Sequence, residues 1–421
     1  MPIDTALSRS AWWACAALGL ASGLARAETS PWFLGLSLTQ TRDANVLRLA
    51  EGQDTPEGYA RADTIRTTAL LAGLDQSFGR QRAYGTLNLR NSRYVGNPRF
   101  DNTNYSAQLG LDWATVGRVS GSVNAFAARN LQNFSANVFT PELAKDLETT
   151  RSVGGRVTVG LVTQYSLEAS GSHREVRNSL TDSAVQARDF NQDTASVGLR
   201  WRPSAVGSVG LVLGATQGRY PRFATDAAGF YTADRFKRQD VQLNFTYAPS
   251  STSLLEGRLA NGRTTYDLNQ RRNFTGLTGS LSWNWQATGK LRLVLTAGRD
   301  TGQDSYATTS ALRNASTADY SRVNTAVRTQ LEYLATGKLA FGLVVNQERR
   351  DLVRTIDDPF IPESASGADR TTLSTLSARW ALTRNALLGC ERSSERRVGE
   401  GQLTSSMRTR STTCFGQLTL Q

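Results

Sequence analysis

The chain has few of the residues from which proteins build catalytic and metal centres. Its 421 residues include one histidine, three cysteines and two methionines. No spacing of cysteine, histidine and carboxylate residues indicates a zinc site, and the adjacent Asp357 and Asp358 are too short a signal for calcium. No glycine-rich phosphate loop is present at a strand-to-helix junction. We therefore expect no metal and no cofactor.

The single histidine, His173, limits the enzyme chemistry open to the chain. A lipid hydrolase that uses a Ser/His pair needs a serine hydroxyl beside the imidazole. Ser170 and Ser172 are close in sequence, but Ser172 is adjacent to His173 and would point to the opposite face of a strand. We therefore predict that the protein is not an enzyme.

Lysine is nearly absent, whereas arginine is abundant. Of the 48 basic residues only Lys145, Lys237, Lys290 and Lys338 are lysines, and the formal net charge is +12. A nucleic-acid-binding protein usually concentrates basic residues on one patch, but here arginines are scattered along the whole chain. We therefore expect no nucleic-acid partner.

Long apolar runs are absent after the first 27 residues. Residues 1–27 contain Arg9, an apolar stretch from Ala11 to Leu24, and a terminal Ala-Arg-Ala. This is the layout of a secretory signal peptide with a small-x-small cleavage site, and its apolar stretch is too short to span a membrane comfortably. We expect residues 1–27 to be a cleaved signal peptide and residues 28–421 to form a single domain.

The sequence after residue 30 shows strict alternation of apolar and polar residues. Val241, Leu243, Phe245 and Tyr247 alternate with Gln242, Asn244 and Thr246. Segments 105–113, 197–201 and 277–285 follow the same pattern. A period of two is typical of strands with one apolar and one polar face. This pattern predicts 18 strands.

The predicted connections alternate between short turns and longer loops. Short turns are predicted near Gly79, Gly117, Gln164, Pro203, Pro249, Gly289, Gly337 and Asn385. Longer loops are predicted near 43–62, 95–102, 132–149, 178–190, 220–235, 267–272, 303–319, 354–369 and 398–403. Every proline after Pro31 falls in a predicted connection, as expected because proline cannot donate to a strand ladder.

One tight turn is repeated almost unchanged. WQATGKLRL (285–293) returns as YLATGKLAF (333–341), a period that also suits a solenoid or a propeller. A propeller blade needs four short strands per unit, whereas each unit here holds two long ones. Gly289 and Gly337 are expected to supply a permissive backbone for the turn.

Aromatic residues collect at the tight turns. The set is Trp113, Trp201, Tyr247, Trp285, Tyr333 and Trp380. Tight turns at one end, longer loops at the other and an aromatic girdle are typical of a transmembrane antiparallel β-barrel of the outer membrane of a Gram-negative bacterium. We predict such an all-β barrel of about 18 strands, with both termini in the periplasm. A secreted β-solenoid or double sandwich is the alternative, although neither requires aromatics at one end.

Four phrases resemble the EpsL-type outer-membrane proteins. They are TRDANVLRL (41–49), RADTIRTTALLAGLDQSFGRQR (61–82), WRPSAVGSVGL (201–211) and RNFTGLTGSLSWNWQATGKLRL (272–293), and the resemblance runs from about residue 32 to the C-terminus. That family accompanies exopolysaccharide biosynthesis in exosortase-bearing Gram-negative bacteria and is grouped with β-barrel porins. The resemblance implies a role in moving or presenting an exopolysaccharide, and it assigns no catalytic residue.

If the alternate positions that carry apolar residues face lipid, the other set of positions faces the lumen. It carries Arg90, Arg118, Arg200, Arg258, Arg292, Arg322, Arg328, Arg350 and Arg379, with Glu256, Glu332 and Glu348 among them. The plain interpretation is an ordinary pore wall of mixed charge. The functional interpretation is a cationic path for an anionic or hydroxyl-rich polymer, because the guanidinium fork binds carboxylates and sugar hydroxyls in several orientations.

Three functions remain open at this point. The first is export of exopolysaccharide through the arginine-rich lumen, with inner-membrane and periplasmic synthesis and export proteins as partners and outer-membrane lipid around the barrel. The second is a general diffusion porin for small solutes. The third is a barrel that anchors surface polymer without conducting it.

The two cysteines outside the signal segment, Cys390 and Cys414, are expected to lie on the last hairpin. Its turn near residue 402 is midway between them, so they should be directly opposed. Both share parity with apolar neighbours such as Leu388 and Leu418. Opposed Cβ atoms lie about 4.5–5.5 Å apart, and the periplasm is oxidising. A disulfide and a pair of reduced, lipid-facing thiols are the two outcomes considered.

Overall fold

The computed structural model describes residues 30–132, 144–160, 164–181, 183–225, 229–268, 270–301, 321–356, 363–401 and 404–421. The predicted signal segment, 1–27, lies outside these ranges. In the described chain, helix is limited to single turns at Pro98–Phe100, Ser183–Gln186 and Gln270–Arg272. None of the helical segments in these ranges is long and apolar enough to cross a membrane.

Eighteen strands make up nearly all of the described chain. They are β1 (Trp32–Asp43), β2 (Asp63–Phe78), β3 (Gln81–Tyr94), β4 (Asn102–Ala114), β5 (Val119–Leu131), β6 (Leu147–Val159), β7 (Tyr165–Arg177), β8 (Phe190–Ser204), β9 (Gly207–Thr225), β10 (Tyr231–Ser250), β11 (Ser253–Tyr266), β12 (Phe274–Gln286), β13 (Leu291–Asp300), β14 (Ser321–Leu334), β15 (Leu339–Ile356), β16 (Glu363–Ala381), β17 (Ala386–Gly401) and β18 (Met407–Leu420).

The strands form one closed barrel. Each strand pairs antiparallel with the next in sequence, and β1 pairs antiparallel with β18 from Leu34↔Leu420 to Asp43↔Ser411. Closure leaves no unpaired sheet edge. The even number of strands brings β1 to start and β18 to end on the side of the tight turns. The predicted closed barrel of 18 strands is therefore confirmed.

Several strands are longer than the alternation predicted. The predicted loops 220–235 and 354–369 shrink because β9, β10, β15 and β16 continue into them. In 220–235 residues such as Pro221, Arg222 and Arg235 interrupt the regular alternation, whereas backbone pairing continues through Tyr220↔Asp234 and Thr225↔Tyr231. Pro221 lies in one of these extensions, and Pro203 and Pro249 lie in the tight-turn ends of β8 and β10, so the prediction that all prolines fall in connections is wrong. Each of the three prolines lies beside a register shift, where the ladder needs no donor.

The barrel has an apolar exterior. Leu36, Leu199, Leu211 and Leu418 are among many large apolar residues that are exposed on the outward face. A protein surrounded by water would bury most of these side chains, whereas lipid accommodates them. The alternate positions on the same strands face inward and are mostly polar.

Glycines sit opposite aromatic rings at several cross-strand positions. The pairs are Phe33↔Gly73, Tyr84↔Gly110, Trp113↔Gly121, Phe236↔Gly218, Phe245↔Gly257 and Phe415↔Gly389. In each pair a Cβ on the glycine would overlap the partner's ring. The ring therefore lies flat over the glycine and covers its backbone, a recognised way of stabilising strand glycines.

The repeated turn is closed by its threonine and not by a special glycine conformation. Thr288 Oγ1 accepts from the backbone N–H of Leu291 at 3.0 Å, and Thr336 Oγ1 accepts from that of Leu339 at 3.0 Å. Neither glycine of the repeat has a positive φ, so the predicted role of Gly289 and Gly337 is wrong. Thr383 makes the same bond to the N–H of Ala386 at 3.0 Å, in a turn that has no glycine.

Candidate functional site in the barrel lumen

The inward face of the barrel is polar, but its two sides differ in accessibility. On β3 to β8 most inward polar side chains remain partly or fully exposed. We call this side the accessible wall, defined by Arg90, Asn104, Ser106, Asn124, Ser152, Arg156, Ser172 and Arg200. On β10 to β16 many inward polar side chains are buried, including Gln242, Thr278, Asn324, Asn346 and Thr371. A solute would therefore meet β3 to β8 first.

The structure places most of the predicted lumen arginines on the inward face. Those on inward positions of strands are Arg90, Arg200, Arg258, Arg292, Arg328, Arg350 and Arg379. Arg118 is an exception, because it lies in the tight turn between β4 and β5 and not on the wall. The side chain of Arg322 lies outside what the structure describes. Polymer binding by these residues stays a prediction.

Two of the inward arginines are held in ion pairs, one buried and one partly buried. Arg350 is directly opposite Asp369, and its Nε donates to Asp369 Oδ1 at 2.9 Å while Nη2 donates to Oδ2. Arg379 Nη2 lies 2.7 Å from Glu332 Oε1. Each carboxylate neutralises its arginine and orients it. These arginines are therefore less available to a polymer than the sequence suggested.

A buried polar ladder runs along β10 and β11. Arg238 Nε donates to Asp240 at 3.2 Å, and its Nη2 donates to Thr278 at 3.2 Å. Gln242 donates to Asp240 and accepts from Arg258 Nε at 2.9 Å. Sequence reasoning missed Arg238, although it continues the inward parity of Gln242. Asp369 was also missed, because it had been assigned to a loop.

The charges of the accessible wall are more open. Arg200 Nη2 lies 3.0 Å from Glu168 Oε1, and the Arg200 side chain keeps 35% of its surface exposed. Arg90 donates to Asn88 Oδ1 at 3.2 Å and remains exposed. Arg156, which the sequence prediction did not include, is exposed on the inward face of β6. Arg90, Arg156 and Arg200 are thus the arginines best placed to meet a solute.

The first long loop, 44–62, folds against the inner wall at the loop end of the barrel. Leu47 is buried in a cluster with Tyr94, which faces inward from β3. Arg48 lies 3.5 Å from Glu395, an inward residue of β17. Because its partners face the lumen, this loop narrows the outer mouth.

Inward aromatic residues form a ladder near the loop ends of β8 to β11. Ring centroids of Phe190 and Tyr220, Tyr220 and Phe236, and Phe236 and Tyr266 lie 5.5, 5.8 and 5.5 Å apart. The guanidinium of Arg272 lies 5.0 Å from the Tyr266 centroid. All four rings are buried, so they stabilise the wall and offer no open surface for stacking.

The single histidine has a carboxylate partner on the outer face. His173 Nδ1 lies 2.8 Å from Asp193 Oδ1, and the two residues are directly opposed on β7 and β8. Sequence reasoning missed Asp193, which only the strand register reveals. Ser170 and Ser172 face the lumen, so neither reaches the imidazole. Within the described residues, no group of three or more histidine, cysteine, aspartate or glutamate side chains is placed to hold a metal ion.

The predicted aromatic girdle lies at the tight-turn ends of its strands. It comprises Trp113, Trp201, Tyr247, Trp285, Tyr333 and Trp380. All are exposed on the outer surface except Trp113, which is half-buried over Gly121. Their contact with lipid headgroups stays a prediction.

Cys390 and Cys414 are directly opposed on β17 and β18. Both lie on the outward face, and the structure joins them in a disulfide. Formation of this bond in the native membrane stays a prediction.

A closed antiparallel barrel with an apolar exterior, a polar lumen and tight turns at one end is an outer-membrane β-barrel of porin-like fold. The protein is located in the outer membrane of a Gram-negative bacterium. No family model matches the chain, and no curated protein sequence matches it.

Solved structures of outer-membrane proteins resemble this barrel. OccK2 (OpdF) of Pseudomonas aeruginosa is 13% identical with a TM-score of 0.48, over 92% of this chain and 98% of that chain. OpdK of the same organism is 10% identical with a TM-score of 0.46, over 92% and 99%. The FrpB iron transporter from Neisseria meningitidis is 8% identical with a TM-score of 0.46, over 93% and 83%. Likenesses this distant carry no argument about substrate.

Proposed function

We propose that the protein passes an exopolysaccharide through its lumen along the accessible wall. Inner-membrane synthesis proteins and periplasmic export proteins would deliver the polymer to the tight-turn end. The proposal is supported by the resemblance to EpsL-type proteins and by the arginine excess. The formal charge is +11 once Arg9, Arg26 and Asp4 leave with the signal segment.

The observation that carries the proposal is the chemistry of the accessible wall. Serine and asparagine side chains alternate there with Arg90, Arg156 and Arg200. Hydroxyl and amide groups exchange hydrogen bonds with a sugar chain as it moves, and the guanidinium fork binds carboxylates. Glu168 beside Arg200 competes for the arginine and keeps binding weak enough for movement.

An acidic polymer fits this wall better than a neutral one. Neutral sugars depend more on stacking against aromatic rings. The inward rings of Phe190, Tyr220, Phe236 and Tyr266 are buried against one another, and those of Tyr84 and Phe126 on β3 and β5 are only half-buried. The accessible arginines instead favour carboxylate groups.

A general diffusion porin is the second candidate, and the inward ion pairs favour it. Arg350 with Asp369 and Arg379 with Glu332 neutralise part of the wall charge, as in an ordinary pore of mixed charge. A barrel that anchors polymer without conducting it is the third candidate. The narrowing of the mouth by loop 44–62 is the feature that favours it.

Ion-current recordings on protein reconstituted in planar bilayers separate the three. The probes are oligogalacturonates as acidic chains and dextrans of equal length as neutral ones. We expect oligogalacturonates to block the current and dextrans to block it less. Salt should weaken the block, since charge contacts in a wet lumen are screened within about 8–10 Å.

The decisive variant is Arg90→Ser, Arg156→Ser and Arg200→Ser together. Each exposed charge contact contributes about 0.5 kcal/mol, so the block should weaken about tenfold. The matched control removes equal charge from exposed turns through Arg80→Ser, Lys338→Ser and Arg384→Ser, and it should block like wild type. An ion current that neither probe blocks would support the diffusion porin and contradict polymer export. Absence of any ion current would support the barrel that anchors polymer without conducting it.

A further inference from the structure

We propose that the outward face of β17, β18 and β1 binds the phosphate groups of the lipid that surrounds the loop end of the barrel. The site is an exposed group of arginines, here called the outward arginine cluster. It comprises Arg42 on β1, Arg392 and Arg396 on β17, and Arg408 and Arg410 on β18. The proposal does not depend on what passes through the lumen.

Strand register places the five arginines together on one face. Arg396 is directly opposite Arg408. Thr412 is directly opposite both Arg392 and Arg42, on its two neighbouring strands. Directly opposed Cβ atoms lie about 4.5–5.5 Å apart, and diagonal neighbours about 7–8 Å. Their guanidinium groups can therefore converge on one multivalent anion.

Opposed like charges are unfavourable in a strand pair, and this cluster has no acidic compensation at its centre. In the described ranges, no carboxylate lies within ion-pair distance of any of its five arginines. The guanidinium of Arg392 donates to Thr412 Oγ1 at 3.4 Å, a neutral partner. Another outward arginine, Arg93, has Asp101 at 3.0 Å. The described outward residues of the three strands include one carboxylate, Glu400, beyond Val398 toward the loop.

The height of the cluster on the barrel identifies the anion as a lipid phosphate. One step toward the tight turns, the outward positions become Cys390 and Cys414, followed by Leu388 and then Leu418. The arginines therefore border the apolar belt, at the level of the lipid headgroups on the loop side. Arginine binds phosphate through two parallel hydrogen bonds. Directly beneath, Cys390 is paired with Cys414, and the same strand register holds Arg396 opposite Arg408.

The test compares lipids that differ only in phosphate. Wild-type barrel in neutral detergent is mixed with diphosphoryl lipid A or with dephosphorylated lipid A. Binding is followed by native mass spectrometry, and the unfolding temperature by heat-modifiable migration on gels. We expect the diphosphoryl form alone to bind tightly and to raise the unfolding temperature.

The variant Arg396→Ser with Arg408→Ser should give two opposite changes. In detergent without anionic lipid it should unfold at an equal or higher temperature than wild type, because the opposed charges are gone. With diphosphoryl lipid A it should bind roughly tenfold more weakly, since each exposed charge contact is worth about threefold. A purely structural role for the arginines would lower the unfolding temperature in both conditions.

Three results would overturn the proposal. One is equal binding of the two lipid A forms by wild type, a comparison that needs no variant. Another is stabilisation by inorganic phosphate alone as strong as that by diphosphoryl lipid A, which would assign the cluster to free phosphate. The third is an equal loss of binding in the control Arg80→Ser, Lys338→Ser and Arg384→Ser, which would show a general charge effect.

Discussion

Replacement of Asp369 by alanine tests how strongly the lumen depends on its buried ion pairs. The Asp369 side chain is fully buried, the Arg350 side chain keeps 11% of its surface, and the two form a two-pronged contact. Thr404 also donates to Asp369 at 3.2 Å. Breaking a buried pair costs about 3–5 kcal/mol because the remaining charge is unpaired. Glu348 lies on the same face of β15, so we expect a loss near the lower end, about 3 kcal/mol.

The chain provides a matched control in Asp75→Ala. Arg82 donates two hydrogen bonds to the Asp75 carboxylate in the same bidentate way, at 2.7 and 2.5 Å, but both side chains are about half exposed. An exposed pair contributes about 0–1 kcal/mol, so this variant should lose less than Asp369→Ala. The free energy of unfolding is measured by urea titration of protein folded into lipid vesicles, with tryptophan fluorescence as the signal. Equal losses in the two variants would refute the reasoning.

A double replacement separates pairing from burial. Arg350→Met together with Asp369→Leu removes both charges and fills similar space. Replacing a whole buried pair by apolar groups is often nearly neutral, so the double variant should be more stable than Asp369→Ala. A double variant as unstable as the single one would show that the surrounding polar network, and not the unpaired charge, sets the cost.

Three further predictions concern the hairpins, and all are measured as free energies of unfolding in the same assay. Cys390→Ser should cost about 3 kcal/mol, because the bond to Cys414 closes a loop of 24 residues; two free thiols in unreduced, denatured wild type would contradict this. Thr336→Val should cost about 1 kcal/mol by removing the hydroxyl that closes the turn. Gly337→Ala, where a Cβ meets open space, should change the free energy of unfolding very little. A larger loss in Gly337→Ala than in Thr336→Val would show that the glycine, and not the threonine, stabilises the turn. Gly73→Ala should cost about 1–2 kcal/mol, because the ring over it must move; a value as small as that of Gly337→Ala would show that the ring rotates away freely.

The barrel could be predicted because lipid imposes period two on every spanning strand. Leu36, Leu199 and Leu418 are examples of the apolar residues that recur at outward positions within the apolar belt. Outside the belt the outward positions need no apolar residues, so the segments 220–235 and 354–369 show no regular alternation in the sequence. Pro203 and Pro221 were then assigned to connections although they lie at strand irregularities.

The sequence predicted correctly that most of the candidate arginines face the lumen, but not which carboxylate each arginine contacts. The alternation of the sequence correctly placed Arg200 and Arg350 on the inward face. It could not show that Arg350 is buried against Asp369 while Arg200 stays partly exposed. Pairing depends on the relative height of neighbouring strands, which loop lengths alone do not determine. The exception is the last hairpin, where symmetry about residue 402 was enough to place Cys390 opposite Cys414.

The measurement that tests the central claim most directly is the mass of secreted polysaccharide in cells that lack this gene. Three complementing genes are compared: wild type, the accessible-wall variant Arg90→Ser, Arg156→Ser and Arg200→Ser, and the turn control Arg80→Ser, Lys338→Ser and Arg384→Ser. Equal amounts of heat-modifiable barrel in the outer membrane must be verified first. We predict that wild type and the turn control restore secretion, whereas the accessible-wall variant leaves it reduced. Full secretion with the accessible-wall variant, or no loss on deletion, would contradict a polymer path along this wall.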